Sequence, residues 1–142
     1  MDDPVEIACD PDRMDLAVIH GFLTESYWSA GISEDVVRRA VANSLCFGVF
    51  TGGRQIGFAR VVTDRATFGY LADVFILPEF RGRGLSKRLV AVILAHPDLQ
   101  GLRRLLLATR DAHDLYRLFG FKPVAVPGNF MDRHDPDVYQ RG

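Results

Sequence analysis

The order of strand-like and helix-like runs predicts an α+β domain with a mixed, mainly antiparallel sheet flanked by helices, in the order β-α-α-β-β-β-α-β-α-β. Three observations predict it. Apolar, β-branched and aromatic runs at 46–50, 55–62 and 70–77 follow one another across short turn segments, as the strands of an antiparallel meander do. Two stretches of helical periodicity precede that meander instead of alternating with its strands. The last run of the meander then passes through a glycine- and arginine-rich loop into a further helical pattern and another apolar run.

Composition sets the limits. With 142 residues, 48% hydrophobic and 25% charged, the chain fits one domain over 1–142, long enough to bury a core. A net charge of −1 provides no overall field toward nucleic acid or an anionic membrane, and neither is expected as a partner. The acids Asp2, Asp3, Glu6, Asp10, Asp12 and Asp15 crowd the N-terminus as a solvated edge. Met-Asp-Asp-Pro lacks the charged and apolar segments of a signal peptide, and no apolar run reaches 18 residues, so a cytoplasmic protein is expected. Cys9 and Cys46 sit in apolar runs typical of buried thiols, and the four histidines show no ligand spacing, so no metal site is expected.

In chain order, Val5 to Cys9 reads as a first strand and Asp10-Pro11-Asp12 as a turn, with Asp12 as N-cap of the helix that places Leu16, Ile19 and Leu23 on one face. Ser33 caps a second helix with Val36, Val37, Ala40 and Val41 on its apolar side. Between the two, Tyr27 and Trp28 interrupt the pattern. Cys46 to Phe50 and Gln55 to Val62 form a hairpin through Thr51-Gly52-Gly53-Arg54, and Gly57 marks a bulge or a close backbone approach. Asp64-Arg65-Ala66-Thr67 turns the chain into Tyr70 to Leu77. Leu85, Leu89, Val92 and Ile93 define a helix that His96-Pro97 ends. Arg103 to Ala108 is a strand, Thr109 or Asp111 caps a short helix carrying Tyr116, Gly120 terminates it, and Val124-Ala125-Val126 forms a last strand. Phe130 to Val138 reads as an edge strand followed by a mobile end.

The loop Arg81-Gly82-Arg83-Gly84-Leu85-Ser86-Lys87 opens a helix with backbone N–H groups and positive charge, which suits a phosphate. It is neither a Walker loop nor a dinucleotide fingerprint, because the required Gly-Lys-Ser/Thr and the third glycine are absent. Arg81-x-x-Gly84-x-Ser86 resembles the acyl-coenzyme A signature of the GCN5-related N-acetyltransferases, the GNAT superfamily. Ser86 stands where that family has Gly or Ala. Leu115-Tyr116-Arg117-Leu118-Phe119-Gly120-Phe121 is similar to the family's late Tyr-x-x-x-Gly-Phe element. The resemblance implies a GNAT-like sheet with splayed central strands and an acetyl-CoA-dependent N-acetyltransferase whose acceptor is a primary amine of a small molecule, attacked directly in a ternary complex.

On that resemblance the backbone of Gly82, Arg83, Gly84, Leu85, Ser86 and Lys87 receives the pyrophosphate, with charge from Arg81, Arg83, Lys87 and Arg88. Helical phase prevents all four cations from reaching one phosphate. Val74, Phe75 and Ile76 pair with the pantetheine arm and offer N–H groups to the oxyanion. Thr109, where the family often has Asn, provides one further hydrogen bond. Tyr116 is the general acid, since a phenol of pKa about 10 is protonated at neutral pH. Tyr27 and Trp28 line the acceptor pocket, or else are core aromatics covering the sheet.

Asp73, an acid inside an apolar strand, is the first candidate for the base. The other reading is a structural salt bridge to Arg60 or Arg110. His113, a helical turn before Tyr116, is a further candidate. Two other functions are open: a non-catalytic acyl-CoA binder, and transfer to a protein or peptide amine. A basic interaction module on Arg81 to Arg88 would need aromatic interleaving, which only Phe80 supplies. A homodimer through C-terminal strands is implied by resemblance alone.

Overall fold

The structure, a computed structural model, describes residues 4–141. Asp2 and Asp3 of the acidic N-terminal edge lie outside the described residues. Nine regular elements follow in order: β1 (Val5–Ala8), α1 (Leu16–Leu23), α2 (Glu34–Ala42), β2 (Leu45–Thr51), β3 (Arg54–Thr63), β4 (Phe68–Ile76), α3 (Leu85–Ala95), β5 (Arg104–Leu107) and α4 (His113–Arg117). The sheet runs β1-β2-β3-β4-β5 in space, antiparallel throughout except for the parallel β4–β5 pair. The α+β class and mixed sheet are those read from the sequence.

Helices cover both faces of the sheet, and the alternation of strand side chains divides the core accordingly. Leu45, Phe47 and Val49 of β2 join Leu71 of β4 and Leu85, Leu89, Val90 and Ile93 of α3 in one cluster. Cys46, Phe58 and Phe75 point the other way, toward Ile19, Leu23 and Val37 of α1 and α2. All six residues from Leu45 to Phe50 are therefore buried. On α3 the fourth inward position is Val90, whereas Val92 is 39% exposed, one helical phase away from the expected face. Burial pushes the Cys46 thiol up to about 12; Cys9 is half-buried, and both are free.

Local chemistry accounts for the ends of the elements. Asp15, not Asp12, caps α1, accepting from the N–H groups of Ala17 and Val18, while Asp10 caps the short turn at Pro11–Arg13. Ser33 caps α2 through Val36 N–H at 3.2 Å. Thr109 Oγ1 accepts from Ala112 N–H at 3.0 Å ahead of α4, and Gly120 follows that helix with φ 88°. The strand expected at Val124-Ala125-Val126 is not formed. Pro123 and Pro127 bracket those three residues, and neither can donate to a ladder. Phe130 to Val138 likewise forms no strand. The segment after α4 instead crosses the molecule, and Gln140 Nε2 donates to Ala30 O at 2.6 Å.

Two irregularities shape the sheet. Val49 pairs with Gly57 and Phe50 with Gln55, leaving Ile56 as an extra residue on β3. Phe58 pairs with Phe75 and Arg60 with Ala72, so Asp73 and Val74 of β4 together oppose Ala59. Asp73 has φ 57°, a left-handed conformation that few residues other than Gly adopt.

Gly57 is a close approach: a Cβ there would lie 2.7 Å from Ile76 Cδ1 and 3.0 Å from Phe75 O. Because the latter is backbone, Gly57→Ala is expected to destabilise the domain by about 1–3 kcal/mol, read as a lower urea midpoint at unchanged m-value. Asp64 closes the β3–β4 turn, accepting from the N–H groups of Ala66, Thr67 and Phe68 and from Thr67 Oγ1. These bonds hold its carboxyl well below the usual carboxylate range. The carboxylate thus stabilises the fold above its unfolded pKa of about 3.9 and ceases to as pH falls toward the lower folded value. Urea midpoints of the protein and Asp64→Ala should therefore differ most at neutral pH and draw together only progressively below about pH 4, as pH falls toward the lower folded value.

Candidate active site

β4 and β5 pair from Phe68↔Arg104 to Leu71↔Leu107 and then separate. From Ala72 to Ile76, β4 keeps a strand neighbour only on its β3 side. The divergence begins at the Asp73–Val74 bulge, which bends β4 away from the line of β5. A cleft of about 1040 Å³ fills the gap, lined by β4 from Tyr70 to Ile76, the 26–29 loop, the start of α3 and the 107–112 segment leading to α4. Splayed central strands are thus present.

Asp73 stands at the floor of this cleft. Its Oδ2 accepts from Arg60 Nε at 2.9 Å and its Oδ1 from Trp28 Nε1 at 2.9 Å. Arg60 also donates to Ser44 Oγ at 3.2 Å. The side chains of Arg60 and Asp73 are only 19% and 11% exposed, so the pair is largely removed from water. Of the two readings of Asp73, this geometry supplies the salt bridge to Arg60, and each carboxylate oxygen holds one donor.

The aromatic wall starts from Phe75, on which Phe22 stacks at 4.0 Å between centroids. Trp28 lies edge-on to Tyr27 at 5.1 Å. Tyr27 and Trp28 are 55% and 40% exposed, so they are cleft walls, not core. Arg110 brings its guanidinium carbon to 3.7 Å from the centre of the Tyr27 ring, joining the loop after α1 to the segment after β5.

At the other end, Gly82 and Gly84 take φ 80° and 73°, and α3 begins directly after Gly84. A Cβ added at either glycine would meet nothing within 4 Å, so the loop opens onto free space. The first helical bond is Arg88 N–H to Gly84 O at 3.2 Å, and no side chain caps the N–H groups ahead of it. Arg81 Nε donates to Ile76 O at 2.9 Å, tying the loop to the end of β4. Arg83 lies over Phe80 and Arg88 donates to Val5 O, so the four cations diverge as helical phase requires. Tyr116 is 7% exposed, packs edge-on against Phe121 and lines the cleft. Among the described residues its hydroxyl has no hydrogen-bond partner, and burial raises its pKa.

Residues 12–121 match the model of the acetyltransferase (GNAT) family. The chain belongs to that family. A GNAT-family protein from Xanthomonas campestris pv. campestris has 49% identity and superimposes with TM-score 0.94 over 98% of this chain and 99% of its own. A Gibberella zeae protein described as an acetyltransferase is 31% identical over 133 residues, 78% of this chain and 74% of the relative. An acetyltransferase structure from Clostridium acetobutylicum with acetyl-CoA shares the GNAT fold at 12% identity, with TM-score 0.66 over 92% of this chain and 95% of its own.

Of the residues singled out from the sequence, Tyr27, Trp28, Asp73, Val74, Phe75, Ile76, Arg81, Ser86, Thr109 and Tyr116 line this one GNAT cleft. Gly82, Arg83, Gly84, Leu85 and Lys87 belong to the adjoining loop and first helical turn, with the Leu85 side chain in the core. His113 is exposed and does not line the cleft. The sequence reading gave no part in the cleft to Phe22, Asp132 or His134, and Arg60 and Arg110 entered it only as partners for Asp73. No motif marks them; the fold brings them in from four separate segments. Among the described residues no group of side chains is arranged to hold a metal, and no helix is long and apolar enough to cross a membrane.

Replacing Asp73 by Ala would leave the Arg60 charge without its carboxylate and a left-handed backbone without a suitable residue. A loss of about 2–4 kcal/mol in urea unfolding is expected, with a shift in Trp28 emission. Asp73→Asn, which tolerates the same φ and keeps an acceptor, should lose less than half as much.

Proposed function

We propose that the protein transfers an acetyl group from acetyl-CoA to a primary amine of a small molecule, by direct attack within a ternary complex. The observation carrying this reading is that the free edge of β4, the open start of α3 and the unpartnered Tyr116 hydroxyl all border one cleft. The space at Gly82 and Gly84 fits a pyrophosphate, and the unpaired stretch of β4 fits an extended amide-bearing arm laid alongside it as a strand would be.

When bound, acetyl-CoA supplies the thioester carbonyl. The N–H groups of Gly84 to Lys87 hold the diphosphate with the α3 dipole behind them, and Arg81 adds charge while fixing the loop to Ile76. Val74 to Ile76 orient the arm and offer donors where negative charge gathers on the carbonyl oxygen. Thr109, whose oxygen already accepts from Ala112 N–H, has its hydroxyl proton to give to the arm. The amine nitrogen forms the new C–N bond, the C–S bond breaks with its electron pair on sulfur, and Tyr116 delivers its proton there. The proton lost by the amine leaves to solvent, and the phenol is reprotonated from the same pool. Asp73 serves as a positioning residue: it holds the bulge that parts β4 from β5 and anchors Trp28, with Tyr27, in the acceptor wall.

The test is thiol release from acetyl-CoA across a panel of amines and amino acids, beside calorimetric titration of the cofactor. Tyr116→Phe should lower kcat by about 10²–10⁴-fold and leave cofactor affinity within about threefold. Because burial raises the phenol, its acid form persists to higher pH. The alkaline limb of kcat should fall only above about pH 10 and be absent from Tyr116→Phe. Cofactor binding without turnover of any amine would instead favour a silent acyl-CoA binder, and absence of binding would overturn the reading altogether.

A further inference from the structure

We infer that the acceptor is an amine that also carries a carboxylate, and that Arg110 is the residue that selects it. The inference rests on the acetyl-transfer reading above and names its second substrate by class.

Two cations contribute to the acceptor side of the cleft, and they differ in state. Arg60 is committed to Asp73 and Ser44. Arg110 lines the same cleft and, among the described residues, forms no ion pair and no hydrogen bond; its one recorded contact is the face of Tyr27 at 3.7 Å. A guanidinium seated on an aromatic ring is held in place by the ring while its N–H fork stays available, the arrangement suited to bidentate capture of a planar anion. Tyr27 is itself 55% exposed, so the fork stands at the mouth of the cleft and not in the core. An ordinary surface arginine gives up its anchoring entropy for a nearby acid; Asp111 and Asp132 line this cleft, yet neither forms an ion pair with Arg110.

The remaining charges define which anion fits. Asp73 is already paired with Arg60, so its charge is offset before any acceptor arrives. Asp111 and Asp132 are acids without a recorded ion pair, and together they oppose a dianion such as phosphate more than a single carboxylate. Those same acids favour the positive charge that a free amine carries on entry. An apolar side chain on such an acceptor would lie against Trp28 and Phe22.

The experiment compares L-phenylalanine with phenethylamine, and adds phosphoethanolamine, as acceptors for the protein, Arg110→Met and Arg110→Lys. The carboxylated acceptor is expected to exceed phenethylamine in kcat/KM by about 10–100-fold, mostly through KM. That ratio should collapse toward one in Arg110→Met and recover only in part in Arg110→Lys, which lacks the fork. A ratio near one in the unaltered protein, or one untouched by Arg110→Met, would overturn the inference; preference for phosphoethanolamine would overturn carboxylate in favour of phosphate.

A binding arm separates failure here from failure of the acetyl-transfer reading. Trp28, the single tryptophan, lies 5.1 Å from Tyr27 and reports on ligands at Arg110 by fluorescence. N-acetyl-L-phenylalanine, titrated with coenzyme A present, should quench it with an affinity that falls at least tenfold in Arg110→Met. If no amine is turned over, Arg110-dependent quenching still supports the carboxylate site, and quenching that is absent or independent of Arg110 sinks it.

Discussion

The ion pair between Arg60 and Asp73 is the constraint on which the rest of the molecule turns. A left-handed residue within a strand costs a non-glycine side chain roughly 1–2 kcal/mol, and Asp is among the few that accept the conformation. Here the carboxylate is offset by two charge-assisted or polar bonds, one from each side of the cleft floor. With the bulge held, β4 leaves β5 after Leu71 and the sheet opens.

The two-sided core keeps that opening from spreading. α3 packs Leu85, Leu89, Val90 and Ile93 beneath the paired part of the sheet, so the start of α3 is fixed relative to β4 before any ligand arrives. On the other face Phe75 is buried against Phe58 and stacked on Phe22, which sets where the loop after α1 can run. The end of the cleft at α3 is thus built on rigid elements, and the end at Tyr27 and Trp28 on a loop resting on them.

Legibility in the sequence followed how local the cause was. The hairpin at Gly52-Gly53, the cap at Ser33, the glycines opening α3 and the Tyr116-to-Gly120 helix end each depend on a few neighbouring residues, and each stands where the sequence places it. No strand forms at 124–126 because Pro123 and Pro127 on either side of its apolar pattern cannot donate to a ladder. Asp12 was displaced as cap by Asp15, a choice between two equivalent acids three residues apart that the following apolar phase decides. The acid at Asp73 was visible as an anomaly in an apolar run, and Arg60 was one of two partners the sequence offered for it. The bulge and the Trp28 bond, which spans 45 positions, were not legible, because no local pattern carries them.

The bond from Gln140 to Ala30 has a consequence for biosynthesis. Tyr139 O sits 2.9 Å from where a Gly31 Cβ would be, and Gln140 closes a contact spanning 110 positions. A nascent chain emerging from the ribosome can assemble its sheet and the helix under it while the far end is still being made. The loop bearing Tyr27 and Trp28, although translated early, acquires its last fixed neighbour only when residue 140 is out. The setting of that loop therefore depends on a contact made 110 positions later, and loss of Gln140 would release it.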